Sequence, residues 1–512
     1  MMTALSRLRG FGLVALFATA FVLSACEEDG PAEEAGEKID MSTIVRDLDL
    51  NSELADTLDF AGILSRSTWD VMRPSGTVDV ASHHRKQPGS EELGHELRVL
   101  LRDVSSHAEW LPYPATGLSG EIRVADEIGE FDDIRGMVKE SRVAASDGRI
   151  EHADGESRFR ATISAVSLPV DERFSNLLSG PLKAAFDERQ VRGTIEVPGL
   201  DLAFRFPDVG DGFELVMRGS VVAKDTSMVL VTPIEEIHGL LEFEESVIWR
   251  DGGNVVCTAS DVSANILGHR ISDLGGRLSA VPERVRIEDV GLSMHSGRIE
   301  SGGPDGLAMT YELATEELTA NLRWSQLSLT EFLRAVGSDS SVWRGTMSGA
   351  LDLERMVRAD LVDARGRGTL RIDDGKLGEV PMFTAIYGFL EPRNRPQFDA
   401  LELVVDVHDR LIELERMELK SPIVEVTGSG TVGMDGYLDI VLEFPDFFAS
   451  ASDWLFLPKV LQAITSPLVR FHVFGYMRSP QARPRWLFQD DPDRRSIDPI
   501  PARPPTRSRR PF

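Results

Sequence analysis

The chain reads as a mainly β protein with a few short helices, built from degenerate strand–helix repeats, and three observations predict this. Apolar residues alternate with period two along much of its length, as in Gly76-Thr77-Val78-Asp79-Val80 and Leu438-Asp439-Ile440-Val441-Leu442-Glu443-Phe444. Such alternation marks half-buried strands. The period becomes helical only in a few short windows, and one succession of landmarks occurs twice in the same order.

The first helical window is Asn51 to Leu64, where Leu54, Leu58, Ala61 and Leu64 share one face. Strands follow from Gly76 and over Leu97-Arg98-Val99-Leu100-Leu101. The Gly76-Thr77-Val78 opening returns at Gly193-Thr194-Ile195, and Leu118-Ser119-Gly120 returns at Ile237-His238-Gly239. Gly148-Arg149-Ile150-Glu151 returns at Gly297-Arg298-Ile299-Glu300, after about thirty extra residues that predict an added hairpin. Val166-Ser167-Leu168 and Leu327-Ser328-Leu329 each lead into a helix and then a new glycine-opened strand, at Gly193 and Gly345. Ser328 and Glu331 predict a capping box, with Leu329, Phe332, Leu333 and Val336 as the apolar stripe of the helix. Pro381 opens a very apolar helix that holds Met382, Phe383, Ile386, Tyr387, Phe389 and Leu390, and a second apolar helix is expected over Trp454 to Leu468. The final strand is expected over Arg470 to Phe474.

The N-terminus has Arg7 and Arg9, an apolar run from Phe11 to Leu23, and then Leu23-Ser24-Ala25-Cys26. A basic start, an apolar middle and a small-residue end read as a signal peptide; the alternative is an uncleaved transmembrane anchor, for which the run is short of the roughly 20 residues that span a bilayer. The tetrapeptide resembles the lipobox of bacterial lipoproteins, which implies acylation of Cys26. The chain therefore divides into a signal peptide (1–25), an acidic tether (26–45), two strand–helix repeats (46–192 and 193–344), a C-terminal sheet region (345–488) and a Pro/Arg-rich tail (489–512). The tail cannot bury a core and is expected to be disordered.

Across 512 residues, 55 Lys and Arg stand against 83 Asp and Glu, a net charge of −28 with 42% hydrophobic residues. That balance opposes phosphate backbones, so no nucleic-acid partner is expected. The two cysteines, Cys26 and Cys257, supply neither a disulfide framework nor a zinc cluster. Cys257 sits in an apolar strand and reads as core. His83 and His84 lie close to His95, but His83 through Ser90 read as a solvated loop. Gly428-Ser429-Gly430-Thr431-Val432-Gly433 lacks the following helix of a phosphate cradle and reads as turn chemistry. The chain holds no His-Glu-x-x-His, Gly-x-Ser-x-Gly or Walker signature, and no enzyme activity, metal or cofactor is expected.

Gly366-Arg367-Gly368-Thr369-Leu370-Arg371-Ile372-Asp373-Asp374-Gly375, the apolar helix after Pro381, the strands near 398–407 and 412–419, Ser421-Pro422 and Gly428-Ser429-Gly430 follow one another in that order. Over about 345–476 this resembles the C-terminal region of the AsmA-like proteins. The resemblance implies an elongated antiparallel sheet curled into an apolar groove, in a periplasm-facing protein of the cell envelope linked to phospholipid transport and outer-membrane biogenesis. The chain departs from that family in its lipidated anchor and its short length. A curled sheet with one apolar face makes a continuous trough, and acyl chains suit it because apolar transfer is non-directional and scales with area.

Met382, Phe383, Ile386, Tyr387, Phe389, Leu390, Leu438, Ile440, Leu442 and Phe444 are the candidate groove-lining residues. Met382, Phe383, Ile386, Tyr387, Phe389 and Leu390 would equally fill an ordinary core. Aspartate at Ile440 and Leu442 is expected to abolish lipid binding without unfolding the protein. The expected partners are the inner or outer membrane, through a lipid anchor, phospholipid or another apolar envelope component, and envelope proteins. The alternative is a non-catalytic assembly lipoprotein that holds envelope proteins through its sheet edges and carries no lipid.

Overall fold

The computed structural model describes residues 39–60, 69–70, 73–86, 93–107, 113–125, 128–153, 156–177, 180–207, 214–229, 232–249, 252–335, 344–357, 360–375, 399–420, 425–444, 469–477 and 479–485. Twenty-five strands and three short α-helices make up most of it. The first nine strands are β1 (Ile39–Asp49), β2 (Pro74–Lys86), β3 (Leu93–Ser106), β4 (Ala115–Ala125), β5 (Ile128–Phe131), β6 (Ile134–Val138), β7 (Ser141–Ala153), β8 (Glu156–Val170) and β9 (Arg192–Pro207). The middle is β10 (Glu214–Val229), β11 (Pro233–Trp249), β12 (Gly252–Ile266), β13 (His269–Val281), β14 (Arg284–Met294), β15 (Gly297–Ser301), β16 (Leu307–Glu312) and β17 (Glu317–Ser328). The last eight are β18 (Thr346–Val357), β19 (Asp360–Asp373), β20 (Ala400–His408), β21 (Leu411–Lys420), β22 (Glu425–Gly433), β23 (Tyr437–Phe444), β24 (Val469–Tyr476) and β25 (Gln481–Arg485). The helices are α1 (Ser52–Phe60), α2 (Gly180–Glu188) and α3 (Leu329–Ala335).

All the strands belong to one sheet, and each pass pairs antiparallel with the passes before and after it in the chain. Two passes are broken in two: β5 and β6 both lie between β4 and β7, and β15 and β16 both lie between β14 and β17. Three passes (β12, β13 and β14) lie between the strands of Gly239 and Gly297, where one (β5 with β6) lies between those of Gly120 and Gly148, so the extra residues of the second copy form one added hairpin.

Strict alternation of direction decides where the connections fall. The helices α1, α2 and α3 each follow an upward pass, and therefore all lie on one edge of the sheet. The connections 374–399 and 445–468 leave and rejoin that same edge. The opposite edge, by contrast, turns tightly at 282–283, 409–410 and 434–436. We call the two edges the helix rim and the hairpin rim.

A row of β-bulges runs just inside the helix rim. The register slips at Val45/Leu48, Leu101/Val104, Ala165/Leu168, Ala223/Thr226, Ala259/Val262 and Trp324/Leu327. At each slip one residue takes a left-handed backbone: Asp47, Asp103, Ser167, Asp225, Asp261 and Gln326 have φ between 52° and 59°. Aspartate tolerates that region because its short side chain bonds locally. A bulge bends its strand and increases the twist, so a row of them curls the sheet along one line. The curl brings the rims together: Arg189, beside the rim end of β10 through Val229 N–H to Arg189 O, stands with its guanidinium 5.5 Å from the ring centroid of Tyr311, near the hairpin end of β16. The molecule is thus an elongated, curled antiparallel groove.

Several local expectations are corrected. Ile39–Val45, placed in the tether 26–45, belongs to β1 and pairs with Val80–Lys86. His83 to Lys86 form the end of β2 where a loop was expected, because β1 and β3 satisfy their backbone on both sides. Gly428 to Gly433 lie inside β22, where Gly430 has φ 149° and a Cβ would strike Asp439 O and Ile440 Cα. β25 carries Pro484, tolerated because this strand pairs only with β24 among the described residues. Half of the capping box forms: Glu331 N–H donates to Ser328 Oγ at 3.3 Å, but Ser328 N–H donates to His295 O, leaving the Glu331 carboxylate to accept from Ser296 Oγ. Residues 1–38, 376–398, 445–468 and 486–512 lie outside the described residues, and with them Cys26, the helices expected after Pro381 and Trp454, and the tail.

Candidate functional site

Cross-strand register carries a single apolar face through the whole sheet. Near the start, Val80 faces Val99, which faces Ile122, and Ile150 faces Phe159, which faces Phe204. In the middle, Leu215 faces Ile248, Phe243 faces Cys257, Cys257 faces Leu278, Leu278 faces Ile287 and Ile287 faces Met309. Toward the end, Leu370 faces Leu403, Leu403 faces Met417, and Ile440 faces Val473. Because side chains alternate across a strand, one slip of a single residue anywhere would send the face outward. The bulges keep it facing in.

The inner face is closed at both ends and open between them. Val78 to Ala161 build one buried cluster, with Leu97 and Ile122 only 1% exposed. Leu327 to Ala482 build another, and α3 packs Leu329, Phe332 and Leu333 onto it. From β9 to β17 the face mixes buried residues, among them Ile248, Cys257 and Leu318, with the half-buried Leu215, Met217, Val221, Leu241, Phe243, Leu278, Ile287, Met309 and Tyr311. At a strand spacing of ~4.8 Å, this open stretch is roughly 34 Å long. One leaflet's acyl layer, half of the ~30 Å hydrocarbon core, is shorter than that.

The outer face is polar and internally paired. Arg371 bonds Glu402 at 2.9 Å, Arg470 bonds Glu443 at 2.7 Å, Arg102 bonds Asp79 at 2.6 Å, and Lys224 pairs with Glu196. Asp79 also accepts from Asp47 N–H across the first bulge, and this bond with the Arg102 guanidinium holds its carboxyl below the usual range against the opposing effect of burial. Such exposed pairs add little stability each but keep this face in water.

The candidate residues of β23 fall on the inner face. Leu438, Ile440, Leu442 and Phe444 are at most 4% exposed and pack with Phe471 and Val473. Aspartate at Ile440 or Leu442 would therefore bury an unpaired charge in this core and unfold the C-terminal end, contrary to the expectation above. The open residues of β9 to β17 were missed because none forms a conspicuous apolar run. A recurring signal pointed to the curl: Asp followed by an aliphatic residue, as in Asp47-Leu48, Asp103-Val104, Asp261-Val262, Asp273-Leu274 and Asp289-Val290, all with left-handed aspartates. Cys257 is buried on the inner face, and burial pushes its thiol pKa up to about 11, which disfavours the thiolate at neutral pH. His84 stands opposite His95 in register. Among the described residues no helix is long and apolar enough to cross a membrane.

No protein-family model, no curated protein and no solved structure matches this chain.

Proposed function

We propose that this chain is a membrane-anchored, periplasm-facing protein of the AsmA-like kind that binds or shields lipid acyl chains along its inner face, contributing to phospholipid transport or outer-membrane biogenesis. The observation that carries the reading is the in-register apolar face, open over roughly 34 Å between two packed ends. Apolar area gains free energy on leaving water without regard to direction, so an acyl chain is held by area while free to slide. No catalytic group is needed.

Native mass spectrometry with lipid extraction, on protein purified without detergent from an envelope-containing host, tests this reading. Copurifying phospholipid is expected. Met217→Asp with Phe243→Asp, at half-exposed positions that can hydrate a charge, is expected to remove the lipid while leaving the circular dichroism spectrum unchanged. A folded wild-type protein that carries no lipid would overturn the reading and favour the cargo-free assembly lipoprotein.

A further inference from the structure

At the helix rim, two histidines meet where α3 folds onto the inner face. His269 Nδ1 and His295 Nε2 are 2.6 Å apart. Phe332 of α3 stacks on His269 with ring centroids 5.3 Å apart and meets His295 edge-on at 6.2 Å. On the far side, Glu331 Oε2 lies 3.9 Å from His295 Nδ1, and Ser296 Oγ donates to Glu331. Ser328 N–H to His295 O ties the start of α3 to the same turn. Of the other charged groups on these elements, Arg270, Asp273 and Arg277 on β13, Arg284, Arg286 and Asp289 on β14 and Arg334 on α3 are exposed, and Glu288 on β14 is half-buried.

We propose that His269 and His295 form an acid-released latch that seats α3 on the inner face. A ring–ring hydrogen bond requires one nitrogen to donate and the other to accept. The neutral pair satisfies this, and so does the pair with one added proton, with Glu331 beside it as counter-ion. A second proton leaves N–H groups on both nitrogens at 2.6 Å, with no acceptor between them, and the rings must part. Phe332 stacks on those rings, so parting them unseats the helix and uncovers the inner face beside Trp324, Met294 and Ile299.

The sign of the pH effect follows from His295. Burial first, and the His269 charge second, hold its pKa below 6.5, while Glu331 acts the other way. A histidine whose folded pKa is depressed contributes stability above its ordinary value, and that contribution is lost as pH falls through and below 6.5. The latch is closed at neutral pH and opens in acid. Whether the uncovered surface then takes acyl chains rests on the groove reading, but the seating of α3 does not.

Hydrogen exchange on the intact, lipid-free protein tests the latch, with protection of residues 329–335 corrected for intrinsic rates and referenced to β21. Protection is expected to fall about tenfold between about pH 7.5 and about pH 5.5 while β21 is unchanged. His269→Phe keeps a ring against Phe332 without a titrating group, and is expected to hold protection at both pH values. His295→Gln serves the same end should His269→Phe fail to fold. Equal wild-type protection at the two pH values, or an undiminished pH response in the folded variants, overturns the latch. Lipid content measured on the same samples reports separately on the groove reading.

Discussion

Single residues matter in this sheet chiefly where two backbones close on each other. Gly193 opens β9 with φ 134°, and a Cβ there would lie 2.5 Å from Asp225 O and from Thr226 Cα of the adjoining bulge. Gly199 lies on the same strand with nothing within 4 Å of a Cβ and no left-handed backbone. Gly193→Ala should therefore lower stability by more than ~1 kcal/mol, while Gly199→Ala stays within about 0.5 kcal/mol of wild type. Denaturant midpoints measured on both variants check this, and equal effects would refute the argument. The Gly76, Gly193 and Gly345 strand openings were legible in the sequence as repeats. Their cause was not, because the clashing atoms belong to strands far away in the chain.

The informative element is the bulged pass. Propensity argues against aspartate inside a strand, yet Asp225, Asp261, Asp273 and Asp289 all sit inside strands. Each marks the place where the strand bends, and the following residue can turn into the core, as Val262 does at 6% exposure. Asp261→Val puts a β-branched residue at φ 52° and is expected to cost about 1–3 kcal/mol, whereas Asp261→Gly should be tolerated. Thermal unfolding of the two variants distinguishes them, and a harmless Asp261→Val would mean the left-handed bulge is not required. The helices show the same dependence on context. In α1, Asn51 Oδ1 accepts from Leu54 N–H at 2.9 Å, a cap readable from local sequence, whereas in α3 the Glu331 side chain turns to Ser296 and His295.

For the whole molecule, the consequence of the meander is that α1, α2 and α3 all lie on one rim, while the described turns at 282–283, 409–410 and 434–436 lie on the other. The Arg189–Tyr311 contact shows how far the curl brings the two rims together. If the proposed anchor holds this groove at a membrane, Cys26→Ala should move the protein from the membrane to the soluble fraction. Several acyl chains at ~0.8 kcal/mol per buried CH₂ would make such an attachment stable. Unchanged fractionation on ultracentrifugation would exclude lipidation at Cys26 as the attachment.

By itself the sequence determined the fold class, the repeated order of strands and helices, and the inserted hairpin, because period-two alternation and glycine openings are local properties of the chain. It also identified the apolar side of β23. Tertiary structure alone decided which part of the apolar face is open and which is core. Leu442 and Phe243 read alike as apolar strand residues, but Leu442 is covered by Phe471 and its neighbours while Phe243 faces a half-open trough. The His269–His295 contact has the same character: 26 residues apart, the two rings meet only because β13 and β14 pair and α3 folds back over their rim. Exposure and contact depend on which passes curl over which, and that is set by register and bulges summed across the sheet rather than by any one segment.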